Sequence, residues 1–395
     1  MANSNYKFPI LDSSGNATNQ IVDMSDVFVS KDMFLDASLS ICGLGSAGEL
    51  GNNTILSYSS PIQVGALTDW KQVSTGYGCT AAIKDNNELW TWGAGYAGML
   101  GNNAELNYSS PIQVGALTNW KQVSAGYYCI SAIKTDGTLW SCGYGTSGQL
   151  GNDTVLNYSS PIQIGTLTNW KQVSRSGAYV ADNGAAIKTD GTLWTWGSGF
   201  YGQLGNTRTL DYSSPIQVGT LTDWKQVACG YHRLFAIKVN GTIWACGYNQ
   251  SYGALGNNTL INYSSPIQIG TLSDWKQISS GRFHVAAIKQ NGTLWTWGAG
   301  AQGQLANNTH INYSSPIQVG SLTNWKQVSC GQYTTAAIKT DGTLWTWGNS
   351  STGQLGNNTF QISYNSPVQI GTLTNWKQVS ASDQNMAVIQ SPESF

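Results

Sequence analysis

One tetrapeptide, Tyr-Ser-Ser-Pro, returns through almost the whole chain at a nearly constant spacing. It begins at Tyr58, Tyr108, Tyr158, Tyr212, Tyr263 and Tyr313, and a Tyr-Asn-Ser-Pro variant begins at Tyr364. The steps between successive copies are 50, 50, 54, 51, 50 and 51 residues. Such a period indicates one supersecondary unit repeated in tandem. The 395 residues therefore need not divide into two or three unrelated domains.

Each repeat contains four short segments in a fixed order: W-K-Q-V-S, A-I-K, G-T-L-W-T-W-G and S-P-I-Q-V-G. They are rich in β-branched and aromatic residues and are bounded by Gly, Asn, Asp-Gly or Pro, which indicates strands joined by turns. In the segment 139–142, Leu-Trp-Ser-Cys, both alternating faces carry apolar residues, as in a sheet packed between two others. Four strands in about 50 residues predict one blade of a propeller.

Counting the repeats predicts how the ring closes. Six complete blades begin at Trp70, Trp120, Trp170, Trp224, Trp275 and Trp325. The seventh takes residues 376–380 and 386–390 from the C-terminus and residues 38–43 and 61–65 from the N-terminus, which leaves no free sheet edge at the junction. The fold class is therefore all-β. Residues 37–395 form a seven-bladed β-propeller with four antiparallel strands per blade, and its closing blade is shared by N- and C-terminal strands.

A literal G-x-G-x-x-G at Gly93, Gly95 and Gly98 raises the question of dinucleotide binding. The same spacing returns in other copies, and the turn-rich run beginning Asn102-Asn103 cannot open the helix that a phosphate site needs. The motif is therefore a repeat feature.

Three cysteines also occupy a repeat position, because Cys42, Cys142 and Cys246 stand where four other copies have Trp. We expect free, buried thiols and assembly in a reducing compartment.

Composition and charge exclude several classes of function. Charged residues make up 10% of the chain and the net charge is −1, so there is no electrostatic footprint for nucleic acid or an anionic membrane. No segment approaches 18 consecutive apolar residues and no secretory signal is recognisable, so no membrane span is expected. The acidic position at Asp69 is Asn in other copies, which argues against acid–base catalysis. We expect no catalytic residue, no metal site and no cofactor.

The block G-x-G-x-x-G-Q-L-G-N, clearest at residues 143–152 and 197–206, is followed by V-S-x-G and A-x-A-I-K-x-D-G-x-L-W-x-W-G. Together these motifs resemble the regulator of chromosome condensation repeat over about residues 37–390. The resemblance implies a seven-bladed propeller with a split closing blade. Members of that family perform unrelated functions, which include nucleotide exchange on a small nuclear GTPase, chromatin binding, β-lactamase inhibition and scaffolding, so fold does not give function.

Two departures argue against exchange and chromatin-binding activity. Residues 1–36 carry only Lys7 and Lys31 as cations, whereas the exchange factor has a basic tail. The family favours a His after V-S-x-G, and among the five regularly spaced blades only His284 keeps it. The other four positions are Cys79, Cys129, Arg233 and Thr334.

Two loops differ between copies while the frame is nearly constant. One follows V-S and the other follows W-G or C-G, and antiparallel connectivity brings both to the same face of the propeller. Apart from the seven repeat Tyr and Tyr6, the remaining eleven Tyr all lie in these loops. Tyr with Ser, Gly and Asn is the composition of adaptable recognition loops. The alternative is that these Tyr line the mouth of the channel and bind nothing. The candidate partner-binding residues are Tyr77, Tyr96, Tyr127, Tyr128, Tyr144, Tyr179, Tyr201, Tyr231, His232, Arg233, Tyr248, Tyr252, Arg282, His284 and Tyr333.

The N-terminal arm, residues 1–36, stands outside the repeat. It contains an apolar stretch whose candidate anchor residues are Val27, Phe28, Met33 and Phe34. One interpretation is that the arm only caps the closing blade, and the other is that it anchors the propeller to a larger assembly. The arm and its junction with the repeats are similar, over about 40 residues, to structural proteins of tailed, especially marine, bacteriophages.

The first functional hypothesis is a non-enzymatic virion component of a tail, fibre or capsid surface. Its arm binds other structural proteins, and its Tyr-rich face binds protein or glycan. The expected location is then the virion, assembled in the host cytoplasm, where the chain could form a homo-oligomer. The alternative is a cytoplasmic propeller regulator that binds a protein partner such as a GTPase or an enzyme.

Overall fold

The computed structural model describes residues 7–11, 17–23, 37–176 and 183–392. The candidate anchor residues Val27, Phe28, Met33 and Phe34, and the candidate recognition residue Tyr179, lie outside the described residues. In the arm, strands β1 (Lys7–Leu11) and β2 (Ala17–Asp23) pair with each other in antiparallel orientation.

Beyond the arm, the described chain forms seven four-stranded antiparallel sheets, which confirms the predicted propeller. In the six complete blades the strands follow in chain order, and we call them A to D from first to last. The blades are, in order, β5 (Trp70–Thr75), β6 (Cys79–Lys84), β7 (Leu89–Gly93) and β8 (Tyr108–Gln113); β9 (Trp120–Ala125), β10 (Cys129–Lys134), β11 (Leu139–Gly143) and β12 (Tyr158–Gln163); β13 (Trp170–Arg175), β14 (Asn183–Lys188), β15 (Leu193–Gly197) and β16 (Tyr212–Gln217); β17 (Trp224–Gly230), β18 (Arg233–Lys238), β19 (Ile243–Gly247) and β20 (Tyr263–Gln268); β21 (Trp275–Ser280), β22 (His284–Lys289), β23 (Leu294–Gly298) and β24 (Tyr313–Gln318); and β25 (Trp325–Cys330), β26 (Thr334–Lys339), β27 (Leu344–Asn349) and β28 (Ser363–Gln369). A short 3-10 turn, η1 (Tyr96–Gly98), lies in the C–D loop of blade one.

The seventh blade is assembled from both ends of the repeat region, as the sequence predicts. Its strands are, in order from A to D, β29 (Trp376–Ala381), β30 (Asn385–Gln390), β3 (Leu39–Gly43) and β4 (Tyr58–Gln63). The D strand begins at Tyr58, three residues before the predicted start, and so contains Pro61. Pro61 is accommodated because β4 is an edge strand and its register shifts between the Gly43–Tyr58 and Ile41–Ile62 pairs.

An inner ring of glutamines joins the A strands around the axis. Gln72 donates its side-chain N–H to the Val123 carbonyl at 3.2 Å and accepts the Val123 backbone N–H at 3.1 Å. Gln378 makes the same pair of bonds to Val73, at 3.0 and 3.1 Å, and so connects the last blade to the first. The ring is therefore closed by hydrogen bonds as well as by the shared blade. The corresponding bonds are made by Gln122, Gln172, Gln226, Gln277 and Gln327.

A second ring of hydrogen bonds covers the outer edges of the blades. In each C–D loop one of the residues in a left-handed conformation donates its backbone N–H to the D strand of the next blade. Asn103, with φ of 62°, donates to the Ser159 carbonyl at 2.7 Å, and Asn358 donates to Ser59 across the closing junction. The edge strands, which also carry Pro, are thus protected from pairing with other chains. The donors are Asn53, Asn103, Asp153, Thr207, Asn258, Asn308 and Asn358.

All seven cysteines are buried thiols outside any disulfide bond, as predicted. At the position where four blades have Trp, the buried indole donates to a backbone carbonyl of the preceding blade, as Trp92 does to Glu49 at 2.9 Å. In the other three blades a thiol contacts the corresponding carbonyl, as Cys142 does with that of Met99 at 3.6 Å. Cys here is therefore a small residue that keeps a weak hydrogen-bond donor.

The residue opposite this position on the B strand compensates for its size. A Trp faces a residue no larger than Val in the pairs Thr80–Trp92, Gly184–Trp196, Val285–Trp297 and Thr335–Trp347. A Cys faces a larger aliphatic or thioether side chain in the pairs Ile130–Cys142, Leu234–Cys246 and Met386–Cys42. The volume between neighbouring blades is thereby balanced by two alternative pairs.

Candidate functional site

In the blades whose two variable loops are both described, these loops lie on the same side of the propeller, which we call the upper face. In blade two the backbone N–H of Tyr144, in the C–D loop, donates to the carbonyl of Tyr128, in the A–B loop, at 2.8 Å. The Tyr248–His232 pair in blade four makes the same bond at 2.8 Å. Both predicted recognition loops therefore contribute to one surface.

A first aromatic cluster joins the loops of blades one and two. It consists of Tyr77, Tyr96, Tyr127, Tyr128 and Tyr144. Ring centroids are 5.1 Å apart for Tyr77–Tyr127, 4.1 Å for Tyr127–Tyr128, 4.7 Å for Tyr96–Tyr128 and 6.1 Å for Tyr96–Tyr144. Tyr96, in the turn η1, is 55% exposed. The cluster presents a partly exposed aromatic surface whose rings are held by one another.

A second aromatic cluster joins blades three to six. Tyr201 lies 4.9 Å from Tyr248, and Phe283 stacks on Tyr333 at 5.0 Å. The Arg282 guanidinium lies 5.2 Å from the ring of Tyr231 and 5.0 Å from that of Phe283, within range of a cation–π interaction. The members are Phe200, Tyr201, Tyr231, His232, Tyr248, Tyr252, Phe283 and Tyr333. Phe200 and Phe283 were not among the sequence candidates, because that selection took Tyr, His and Arg from the loops and left out Phe.

Four sequence candidates do not face outward. Tyr127 is 9% exposed, His232 8%, Arg233 1% and His284 0%. Arg233 and His284 are the first residues of their B strands, so their side chains enter the packing between blades. These four residues therefore lie beneath the upper face and do not form its outer surface.

Two of the buried candidates are held by specific hydrogen bonds. Arg233 donates through Nε to the Tyr248 carbonyl at 2.9 Å and through Nη1 to the Arg282 carbonyl at 3.1 Å, which ties together the loops of the second cluster. His284 Nε2 lies 2.8 Å from Thr335 Oγ1. Burial lowers the pKa of His232 to about 4 and that of His284 to about 3. Both imidazoles are therefore neutral at pH 7.

A cavity of about 230 Å³ lies on the axis and is lined by residues at the ends of the A strands, including Ser74, Ser124 and Cys330. Arg282 and Asp383 also line it, with 3.9 Å between Arg282 Nη1 and Asp383 Oδ2. Within the described chain no tyrosine lines this cavity. The tyrosines therefore lie around the mouth of this cavity, where Tyr231 contacts its lining residue Arg282. Their role in recognition, and the alternative that they only line the channel mouth, both stay predictions.

An exposed ring of aliphatic side chains surrounds the aromatic clusters, and sequence reasoning missed it. The residue two positions before each repeat Tyr is Leu or Ile in all seven copies, yet it is between 45% and 66% exposed. In blade one the carbonyl of Leu106 lies against Gly95, next to Tyr96, so the ring adjoins the first cluster. The residues are Leu56, Leu106, Leu156, Leu210, Ile261, Ile311 and Ile362. The signal that could have revealed it is a position that is aliphatic in every copy although the loop around it is polar.

The described residues contain no group of His, Cys, Asp or Glu arranged to hold a metal ion. In the same part of the chain, no helix has the length and apolar character required to cross a bilayer.

A family model described as RCC1-like domain matches residues 38–388. The chain belongs to this family. Similar curated proteins include the ultraviolet-B receptor UVR8 of Arabidopsis thaliana, 34% identical over 122 residues, which are 30% of this chain and 28% of the receptor. Human E3 ubiquitin-protein ligase HERC2 is also 34% identical over 122 residues, which are 29% of this chain and 2% of the ligase. The matched part is less than a third of the length of these relatives.

Solved structures show the same fold at low sequence identity. Prp20p of Saccharomyces cerevisiae, described with its binding to Gsp1p and histones, aligns with a TM-score of 0.79 at 19% identity over 92% of this chain and 94% of its own. Human WBSCR16 aligns with a TM-score of 0.79 at 19% identity over 90% of this chain and 99% of its own. Together with the family model, they confirm the resemblance to the regulator of chromosome condensation repeat.

Proposed function

We propose that this chain is a non-enzymatic binding propeller that recognises a protein partner through its upper face. The observation that carries the proposal is the aliphatic ring, a position that is Leu or Ile in seven of seven copies although it is mostly solvent-exposed. Core packing does not require an aliphatic side chain at such a position. Exposed apolar surface that adjoins aromatic clusters is typical of protein interaction sites.

The composition of the face favours a protein over a charged ligand. The aromatic clusters supply rigid contact area at low entropic cost, and Arg282 is held between Tyr231 and Phe283. Tyr and Arg are the residues that most often dominate binding energy at the centre of an interface. A partner with a predominantly neutral, apolar surface would match this face.

This proposal adopts the regulator hypothesis in preference to the virion component. UVR8 is a receptor, HERC2 a ubiquitin ligase and Prp20p a protein that binds Gsp1p and histones, so relatives of this chain act by recognising or signalling to other molecules. None of these relatives is a virion protein. The location of the protein and the role of the arm remain predictions.

The test compares variants on opposite faces in affinity capture followed by titration with the captured partner. Tyr96→Ser combined with Leu106→Ser removes side chains that are 55% and 66% exposed on the upper face. Leu167→Ser combined with Leu322→Ser is the control, at repeat-equivalent D–A links where the leucines are 45% and 48% exposed. The upper-face variant should bind at least about tenfold more weakly, at an unchanged melting temperature.

Unchanged binding by the upper-face variant, or loss of binding only in the control, would refute the proposal. Tyr127 is a poor choice for this test because it is 9% exposed, so its loss would also disturb the packing of the first cluster.

A further inference from the structure

Two equivalent grooves lie on the outer side of the propeller, between neighbouring blades and away from the aromatic clusters. The groove between blades one and two has a volume of about 280 Å³ and is lined by residues that include Asn103, Gln113, Leu117, Trp140 and Pro161. The groove between blades three and four has a volume of about 360 Å³. Its lining includes the repeat-equivalent residues Thr207, Gln217, Leu221, Trp244 and Pro266. These volumes are at the lower end of those of small-molecule sites.

Both grooves occur where the following blade has Cys instead of Trp on its C strand. A Cβ placed on Gly151, next to a Trp blade, would lie 2.9 Å from the Trp196 ring. A Cβ on the equivalent Gly101 would meet Cys142 Sγ at 3.0 Å and the Pro161 ring at 3.4 Å. The thiol is smaller than the indole it replaces, and a void of about 10 Å³ lined by Cys142 and Pro161 remains behind the groove. The larger B-strand residue thus compensates for most of the exchange of Trp for Cys, and at the first groove this small void is what remains uncompensated.

The lining of the grooves is mixed and uncharged, although the buried ammonium groups of Lys134 and Lys238 lie 3.5 and 4.5 Å from the ring centroids of Trp140 and Trp244. None of the residues lining either groove carries a charge. Trp140 and Trp244 are half-buried, so part of each ring is open, and Leu117 and Leu221 are 47% and 44% exposed beside them. Amide and hydroxyl groups of Asn103, Gln113 and Ser160 stand around the apolar floor of the first groove. A ligand that fits must be small and neutral, with an apolar face and several hydroxyl groups.

We infer that these two grooves are binding sites for a neutral pyranose sugar. The C–H face of the ring packs on Trp, Pro and Leu, and the hydroxyl groups hydrogen-bond to the surrounding amides and serine. This inference goes beyond the proposed function, because it concerns a different surface and a different class of ligand. Two like sites on one rigid disc would also bind a surface that displays many sugars more tightly than a single sugar.

The experiment titrates the full chain with the methyl glycosides of glucose, galactose, mannose and N-acetylglucosamine, followed by saturation-transfer NMR and calorimetry. At least one of them should bind saturably at two equivalent sites, with a Kd on the order of 1 mM. Indole tests whether the grooves instead accept an aromatic group.

Matched variants locate the site. Leu117→Glu combined with Leu221→Glu places a carboxylate in both grooves and should weaken sugar binding at least about tenfold. Leu167→Glu combined with Leu322→Glu, at repeat-equivalent positions of similar exposure, should leave it unchanged. Absence of saturable binding by every sugar, equal loss in both variants, or binding of indole alone would overturn the inference. Because the partner test above changes Tyr96 and Leu106, the two proposals can fail separately.

Discussion

Changing Thr80 and Trp92 to Ile and Cys would transplant the cross-strand pair of blade two into blade one. Each single change should destabilise the propeller, and together they should compensate. Trp92 is fully buried and its indole donates to the Glu49 carbonyl at 2.9 Å. Thr80, 1% exposed, donates to the same carbonyl at 3.2 Å. The pair therefore provides both volume and hydrogen bonds at the junction of blades seven and one.

The magnitudes follow from burial. Trp92→Cys leaves a cavity and should cost about 3–4 kcal/mol of unfolding free energy, because large-to-small changes of buried aromatic residues cost about 3–5 kcal/mol. Thr80→Ile alone forces a larger side chain against Trp92 and should cost about 1–3 kcal/mol. In the double variant Ile fills part of the cavity and the thiol retains a weak contact with the Glu49 carbonyl. The remaining cost should be about 2 kcal/mol, so the coupling energy, which is the sum of the two single costs minus the cost of the double variant, is about 2–5 kcal/mol.

Equilibrium unfolding in denaturant, with the slope compared between variants, measures this coupling. The control combines Thr80→Ile with Trp297→Cys, which lies in blade five and does not contact Thr80. Those two effects should add within about 0.5 kcal/mol. If the Thr80–Trp92 pair is as additive as the control, the volume compensation between strands B and C is not the reason for the alternation of Trp and Cys.

Two further predictions concern stability. Thr207 holds a left-handed position, φ 71°, that is Asn or Asp in the other six blades, so Thr207→Asn should raise the unfolding free energy by about 1 kcal/mol, and Asn258→Thr should lower it by a similar amount. A lower melting temperature for Thr207→Asn, or a higher one for Asn258→Thr, would contradict this prediction. His232 and His284 stay neutral in the fold to a pKa of about 4 and about 3, whereas the unfolded chain takes up their protons near pH 6.5. Stability should therefore be independent of these groups above pH 7 and should fall between pH 6 and pH 4, by about 1.4 kcal/mol per pH unit for each His. His284→Gln should reduce that slope by one proton, and an unchanged slope in acid unfolding titrations would show that His284 titrates normally.

The sequence predicts the architecture well because the repeat is so regular. The blade count, the four strands and the closing blade all follow from spacing and turn residues, and the structure confirms them. The start of the D strand was misjudged at Pro61, because sequence rules treat Pro as a strand boundary and do not show that this strand is an edge with a register shift.

The candidate site is less predictable from sequence, because burial is a property of packing between blades. Arg233 and His284 occupy variable positions beside the loops. Each is the first residue of a B strand, however, and its side chain lies in the packing between blades. Conversely, Leu106 lies in a polar run that reads as a loop, and only the structure shows that it is 66% exposed. An invariant apolar position becomes informative once its exposure is known.

Hydrogen–deuterium exchange of the protein, alone and bound to its captured partner, would test directly whether the upper face is the recognition surface. We expect protection in the A–B loops and in the C–D segments that carry Tyr96 and Leu106, with no change in the D–A links on the opposite face. Protection restricted to those links, with the upper loops exchanging as in the free protein, would contradict the proposed function.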